Sequence, residues 1–198
     1  MDEPDIERVL RYLAERLAFA GAPPTALLVC GGAALIALHL GSRATRDVDV
    51  IALIRQTEQM GRASLQKAKP LPLYLVEASE QVARDLGLPA DWLNPGPADL
   101  MDLGLPAGCF ERSTVKEFGS GLHVHFVSRY DQIHFKLYAA VDQGGGRHLL
   151  DLRALNPGAA EILAAARWAR THDPSPGFHE LLASMLTQLG YHEQAKQI

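Results

Sequence analysis

Asp47 and Asp49, separated by Val48, are the two carboxylates whose spacing could do chemistry. Side chains alternate along an extended strand, so acids two residues apart share a face, where their oxygens can bridge one divalent cation. Upstream, Gly31-Gly32 follows the apolar run Ala26-Leu27-Leu28-Val29-Cys30, and Gly41-Ser42-Arg43-Ala44-Thr45-Arg46 leads into the acids. Glycines at the mouth of a helix let an anion approach backbone N–H groups closely. A carboxylate pair beside such a cradle suits phosphate chemistry, in which charge on entering and leaving oxygens must be neutralised. From the residues alone a second reading stands beside this one: a strand-edge charge pair without a ligand, behind a purely structural glycine turn.

The elements that must position these residues are readable from apolar spacing. Ile6, Val9, Leu10, Leu13, Leu17 and Phe19 predict a helix over 5–19, broken by Gly21-Ala22-Pro23-Pro24. A buried strand over 26–30, a tight turn at Gly31-Gly32, a helix from Ala33 to Leu40 closed by Gly41, and a strand from Asp47 to Leu53 make an α/β beginning. A helix over 73–86 ends at Gly87 and Pro89, and the Pro-, Gly- and Asp-rich 91–108 reads as loop pinned by Trp92 and Leu93. Gly119-Ser120-Gly121 predicts a hairpin between 109–118 and 122–127. Helices follow over 129–142, 147–154, 157–171, with Asn156 as N-cap and Pro157 at the first position, and 176–189. Gly144-Gly145-Gly146 reads as a flexible joint.

Composition bounds the function. A chain of 198 residues, 47% of them hydrophobic, fits one core (1–128) with an appended helical subdomain (129–198) packed on it. No apolar run reaches the roughly 18 residues a bilayer span needs, and the acidic Met-Asp-Glu-Pro-Asp-Ile-Glu start is unlike a secretory signal, so a cytoplasmic protein away from membranes is expected. Cys30 and Cys109 lack metal-ligand spacing. The net charge of −4 argues against a nucleic-acid coat. Between Arg43 and Lys69, however, six basic residues (Arg43, Arg46, Arg55, Arg62, Lys67, Lys69) face three acids (Asp47, Asp49, Glu58), so the region reads as either a locally positive patch or a solvated face. Ala164, Ala165, Ala166, Trp168, Leu181, Leu182, Met185 and Leu189 suggest a helical pair packed on the sheet or on a second copy, with too few aromatics for base stacking.

Taken together, Gly31-Gly32, Arg43-x-Thr45-x-Asp47-x-Asp49, Lys136 and Arg147-His148-Leu149-Leu150-Asp151-Leu152 make the chain resemble the DNA polymerase β-like nucleotidyltransferase superfamily, in its branch of AbiEii-like abortive-infection toxins. The resemblance covers roughly 25–155. It implies a nucleotidyltransferase-like mixed sheet flanked by helices, with a C-terminal helical subdomain. It also implies Mg²⁺ (or Mn²⁺) on Asp47 and Asp49, NTP phosphates on Gly31, Gly32, Ser42 and Arg43, and Lys136 as phosphate contact or base. Thr45, Arg147 and Asp151 would support the site, with Asp151 holding Lys136 or Arg147 or capping a helix. Nucleoside monophosphate would pass to a nucleic-acid end, such as tRNA, or to a protein hydroxyl, and an antitoxin partner would be expected.

Three departures qualify this resemblance. His148 stands where the related toxins carry an acid, and Ala33 stands where a small hydroxyl residue often follows the glycines. On Leu122-His123-Val124-His125-Phe126-Val127, histidine occupies the place of an expected third carboxylate, which Glu111 or Glu117 on the partner strand would have to supply. Imidazole suits Mn²⁺ or Zn²⁺ better than Mg²⁺. Read without a metal, the histidine pair is a hydrogen-bonded polar face. A catalytically degenerate nucleotide- or partner-binding module is therefore the rival expectation, and an unrelated phosphoester hydrolase carrying Asp-x-Asp is a third.

Overall fold

The computed structural model describes residues 1–41, 43–56 and 63–198, which fall into two compact units, Met1–Val127 and Ser128–Ile198. Ser42, Glu58 and Arg62 lie outside the described residues.

The first unit is mixed α/β. Helix α1 (Glu3–Phe19) opens on Asp2, whose carboxylate accepts from the Asp5 amide while Asp5 reciprocates, so two of the orphan donors at a helix start are satisfied. Strand β1 (Thr25–Cys30) runs directly into helix α2 (Gly31–Ala37). The two glycines are thus the first residues of the helix rather than a turn before it. After the C-cap Leu38, the left-handed position is taken by His39 (φ 57°), not by Gly41. Strand β2 (Val48–Gln56) is followed by β3 (Ala63–Lys67), helix α3 (Leu73–Leu86), a two-residue strand β4 (Leu93–Asn94) and a 3₁₀ helix over Gly96–Asp102. Strands β5 (Thr114–Phe118) and β6 (Leu122–Phe126) form the predicted hairpin, but residues 109–112 are turn, not strand.

The sheet has the order β3-β2-β1-β6-β5, with β4 joined to β2. β1 is antiparallel to β2 and parallel to β6, and β2 is antiparallel to β3 and parallel to β4, which makes the sheet mixed. Leu27, Val29, Val48, Val50, Leu53, Leu122, Val124 and Phe126 pack with Val9, Leu10 and Leu13 of α1 and with Leu75 and Val82 of α3. Along β2 the pairing with β1 slips by one residue: Leu28 faces Ala52, but Val29 faces Val50. Trp92 is fully buried in this core and its indole N–H donates to Ser79 O at 2.9 Å, which pins the segment leading into β4.

The second unit consists of helices α4 (Arg129–Asp142), α5 (Gly146–Leu155), α6 (Ala159–His172), α7 (Pro176–Gln188) and the unforeseen short α8 (His192–Ala195). Asn156 does not cap α6. It ends α5 in the left-handed conformation (φ 45°), and Gly158 opens α6. The Arg129 guanidinium donates to Leu155 O at the carbonyl end of α5 and to Glu161 at 2.6 Å, holding the Glu161 carboxyl below its usual range. No helix among the described residues is long and apolar enough to cross a membrane.

Candidate functional site

Thr45, Asp47 and Asp49 meet the two glycines in the first unit. Val48 and Val50 are fully buried while both acids are half-buried, the alternation expected of a strand with one face in the core. Asp49 pairs with Cys30 in the ladder, so its side chain leaves β2 beside the point where β1 becomes α2. There it lies over Gly31, where a Cβ would come within 2.1 Å of Asp49 Oδ2. Gly31 also has φ +71°, so both its backbone and its neighbour require glycine. The next residue repeats the arrangement with a different partner: a Cβ at Gly32 would sit 2.7 Å from Thr45 Oγ1. The buried Thr45 hydroxyl is shared between Asp47 Oδ1 (3.1 Å) and Asp47 O (3.2 Å). Consecutive glycines therefore seat the two arms of the Asp-x-Asp motif, Asp49 directly and Asp47 through Thr45.

Two further contacts brace this corner. The Thr45 backbone pairs with Met1 in both directions, the Thr45 amide donating to Met1 O at 3.0 Å and the chain's ammonium to Thr45 O. On its other edge, Asp49 is neighboured by β4, and the Asn94 amide donates to Asp49 Oδ1 at 2.9 Å. Asn94 is a residue that spacing did not reveal. It lies in the Pro- and Gly-rich stretch that reads as loop, and only the buried Trp92-Leu93 before it hints at an anchored segment.

The other expected residues fall elsewhere. Arg43 is exposed and donates to Ala44 O at 3.4 Å, and Ala33 is buried within α2. Two of the six basic residues of the patch are paired with acids: Lys67 meets Asp99 and Asp102 and Lys69 meets Asp99, each at 2.7 Å. Those lysines hold the Asp99 carboxyl down at about 2. On β6, His125 faces Leu28, so a whole strand separates it from β2, roughly 10 Å at ordinary strand spacing. Its Nδ1 lies 3.2 Å from Ser113 Oγ, and burial, with His123 nearby, lowers its pKa from 6.5. Glu117 faces His123 on β5, a strand further away, and Glu111 is exposed in the preceding turn, so neither completes a ligand set with Asp49. The strand neighbour of Asp49 is Asn94, not β6.

In the second unit Lys136 donates to Asp151 Oδ2 at 2.7 Å, and both residues are buried, at 5% and 8% exposure. Asp151 sits within α5, so it is no cap, and Lys136 is not a solvated lysine. Arg147 is exposed on the first turn of α5, and His148 Nε2 lies 3.1 Å from Gln143 Oε1.

Among the described residues no three of His, Cys, Asp and Glu gather as a metal cage. A hard cation such as Mg²⁺ ordinarily takes only one or two carboxylates and completes its shell with water and substrate phosphate. The half-buried Asp47 and Asp49, two carboxylates beside a glycine-lined join, fit that role. No protein-family model, curated protein or solved structure matches this chain.

Proposed function

We propose that the chain is a metal-dependent nucleotidyltransferase. It moves a nucleoside monophosphate from an NTP to a nucleic-acid end, such as tRNA, or to a protein hydroxyl. One observation carries the reading: consecutive glycines are shaped around the two arms of Asp-x-Asp, so the pair is built into the join between β1 and α2 rather than scattered along a strand edge. In the transfer an acceptor hydroxyl gives up its proton to water as its oxygen bonds to the α-phosphorus, the bond from that phosphorus to the α–β bridging oxygen breaks, and pyrophosphate leaves with the electron pair. Asp47 and Asp49 would hold a divalent cation, which would supply neutralisation of charge on the phosphate oxygens. Thr45 fixes the direction of Asp47, and Gly31 leaves room for Asp49 and the backbone beside it. Arg43, exposed on the approach to the acids, adds a cation for the triphosphate.

Thermal unfolding with each NTP and Mg²⁺ or Mn²⁺ tests this. Ligand at about 100 times its Kd adds roughly 2.7 kcal/mol, or about 5–10 °C for a chain of this size. The shift is expected in the wild type and absent in Asp47→Asn, whose unliganded melting should change little. Equal shifts in both proteins would remove Asp47 from the site, and no shift with any NTP would overturn the nucleotide reading. The amide at Asn94, against Asp49, favours a second reading in which nucleotide binds without turnover. Pyrophosphate release in the presence of RNA or protein acceptors separates the two.

A further inference from the structure

Asp49 is flanked in the sheet by Cys30 on one side and Asn94 on the other, and the parallel β2–β4 bridge places position 94 directly beside it. The orientation of the Asn94 carboxamide is not arbitrary. Its Oδ1 accepts the Gly96 amide at 2.9 Å, so its NH₂ must be the end that faces Asp49 Oδ1, also at 2.9 Å. Gly96 is close enough that a Cβ there would lie 3.0 Å from Asn94 Oδ1, so the turn is fitted to this amide. The shelf behind it is rigid: Val48 N donates to Trp92 O at 2.6 Å, the Trp92 indole is anchored on Ser79 O, and Leu93 is buried.

We propose that Asn94 is the positioning residue of the Asp47–Asp49 pair. Its amide fixes the rotation of the Asp49 carboxylate, and its neutrality sets the charge of the cation site. This rests on the reading of that pair as a divalent-cation site. With an amide at 94, Asp49 Oδ1 is engaged from the sheet side and Oδ2 lies over Gly31. With an acid at 94, two carboxylates would face each other in adjacent strands, an arrangement that repels unless a cation joins them.

The test is a titration of the full chain with Mn²⁺ or Mg²⁺ alone, without nucleotide, followed by thermal unfolding and by the side-chain amide signals of ¹⁵N-labelled protein. Asn94→Ala should weaken the metal midpoint about tenfold. Asn94→Asp should tighten it about tenfold while lowering the melting temperature in metal-free buffer. Opposite movement is the signature, because a merely structural asparagine would make both substitutions move the midpoint the same way. In the wild type the Asn94 NH₂ signal should shift on metal addition, which decides the matter if Asn94→Asp does not fold. Midpoints moving together, or an unmoved Asn94 signal, would overturn the proposal. A wild type that binds metal with this signature but shows no NTP shift would leave Asn94 assigned and the nucleotidyltransferase reading overturned.

Discussion

The chain holds acidic residues in two contrasting ways. Asp47 and Asp49 stay half-buried at the edge of a glycine-lined join, where a hydroxyl and an amide are among their partners. Asp151 is buried and carries its own counter-charge, the Lys136 ammonium at 2.7 Å. Withdrawing charge from water costs several kcal/mol per ion, so an acid kept inside needs a counter-charge close by, whereas an acid left half in water bears a smaller penalty. The first arrangement is suited to exchange and the second to permanence. The resemblance implies Lys136 as phosphate contact or base, with Asp151 as one residue that could hold it; the structure shows the Lys136–Asp151 ion pair.

The sharpest way to break this contrast is to remove one partner of the Lys136–Asp151 pair. Lys136→Met or Asp151→Leu should destabilise the fold by about 3–5 kcal/mol in urea unfolding, with much of the loss recovered in the double variant. A cost below about 1 kcal/mol for either single change would show that the pair is no stability element and would reopen a working role for Lys136. A smaller effect is expected at Asp47 and Asp49. Gly31→Ala forces a side chain into φ +71° and against Asp49, which should cost about 1–3 kcal/mol and abolish the metal-dependent shift, measured by melting with and without Mg²⁺. Loss of stability with an intact metal response would mean that the glycine serves the backbone alone.

The smallest effect sharpens the comparison from the neutral side. His125 has a folded pKa depressed by burial and by His123, so between that value and 6.5 the unfolded chain binds more protons than the folded one. Its contribution to stability is therefore intact above 6.5 and declines as pH falls through 6.5 toward the lowered value. An NMR titration should place His125 below 6.5, and His123→Ala should raise it. A His125 titrating at or above 6.5 would show that Ser113 and the surrounding burial do not keep the ring neutral.

Most elements were legible because their signals are periodic. Apolar residues at helical spacing gave α1 and α3, and strand alternation announced Asp47 and Asp49 as a pair. What escaped had no period to read. A two-residue strand cannot show alternation, so β4, and with it Asn94, was hidden among prolines and glycines. Gly31-Gly32 reads as a turn because glycine breaks helices; its true reason is the side chains of Asp49 and Thr45, from a later strand. Asn156 before Pro157 looks like an N-cap, yet asparagine also tolerates the left-handed conformation, and here the end of α5 claimed it. The resemblance implies a third acid flanked by apolar residues on a later strand, which β6 matches best, while the ladder gives Asp49 a different neighbour.

The slip in pairing between β1 and β2 has a consequence of its own. Leu53 and Asp49 are both odd-numbered, so an unbroken strand would show them to the same side, yet Leu53 joins the core and Asp49 is half-buried beside Gly31. The extra residue between Ala52 and Val50 shifts the phase, as a bulge does. Ile51 therefore divides β2 into a half devoted to holding the fold and a half free to present its acids. A regular ladder that kept Ile51 in step would instead turn Asp47 and Asp49 into the apolar interior and Val48 and Val50 out of it, so the site's existence depends on one irregular step in the strand.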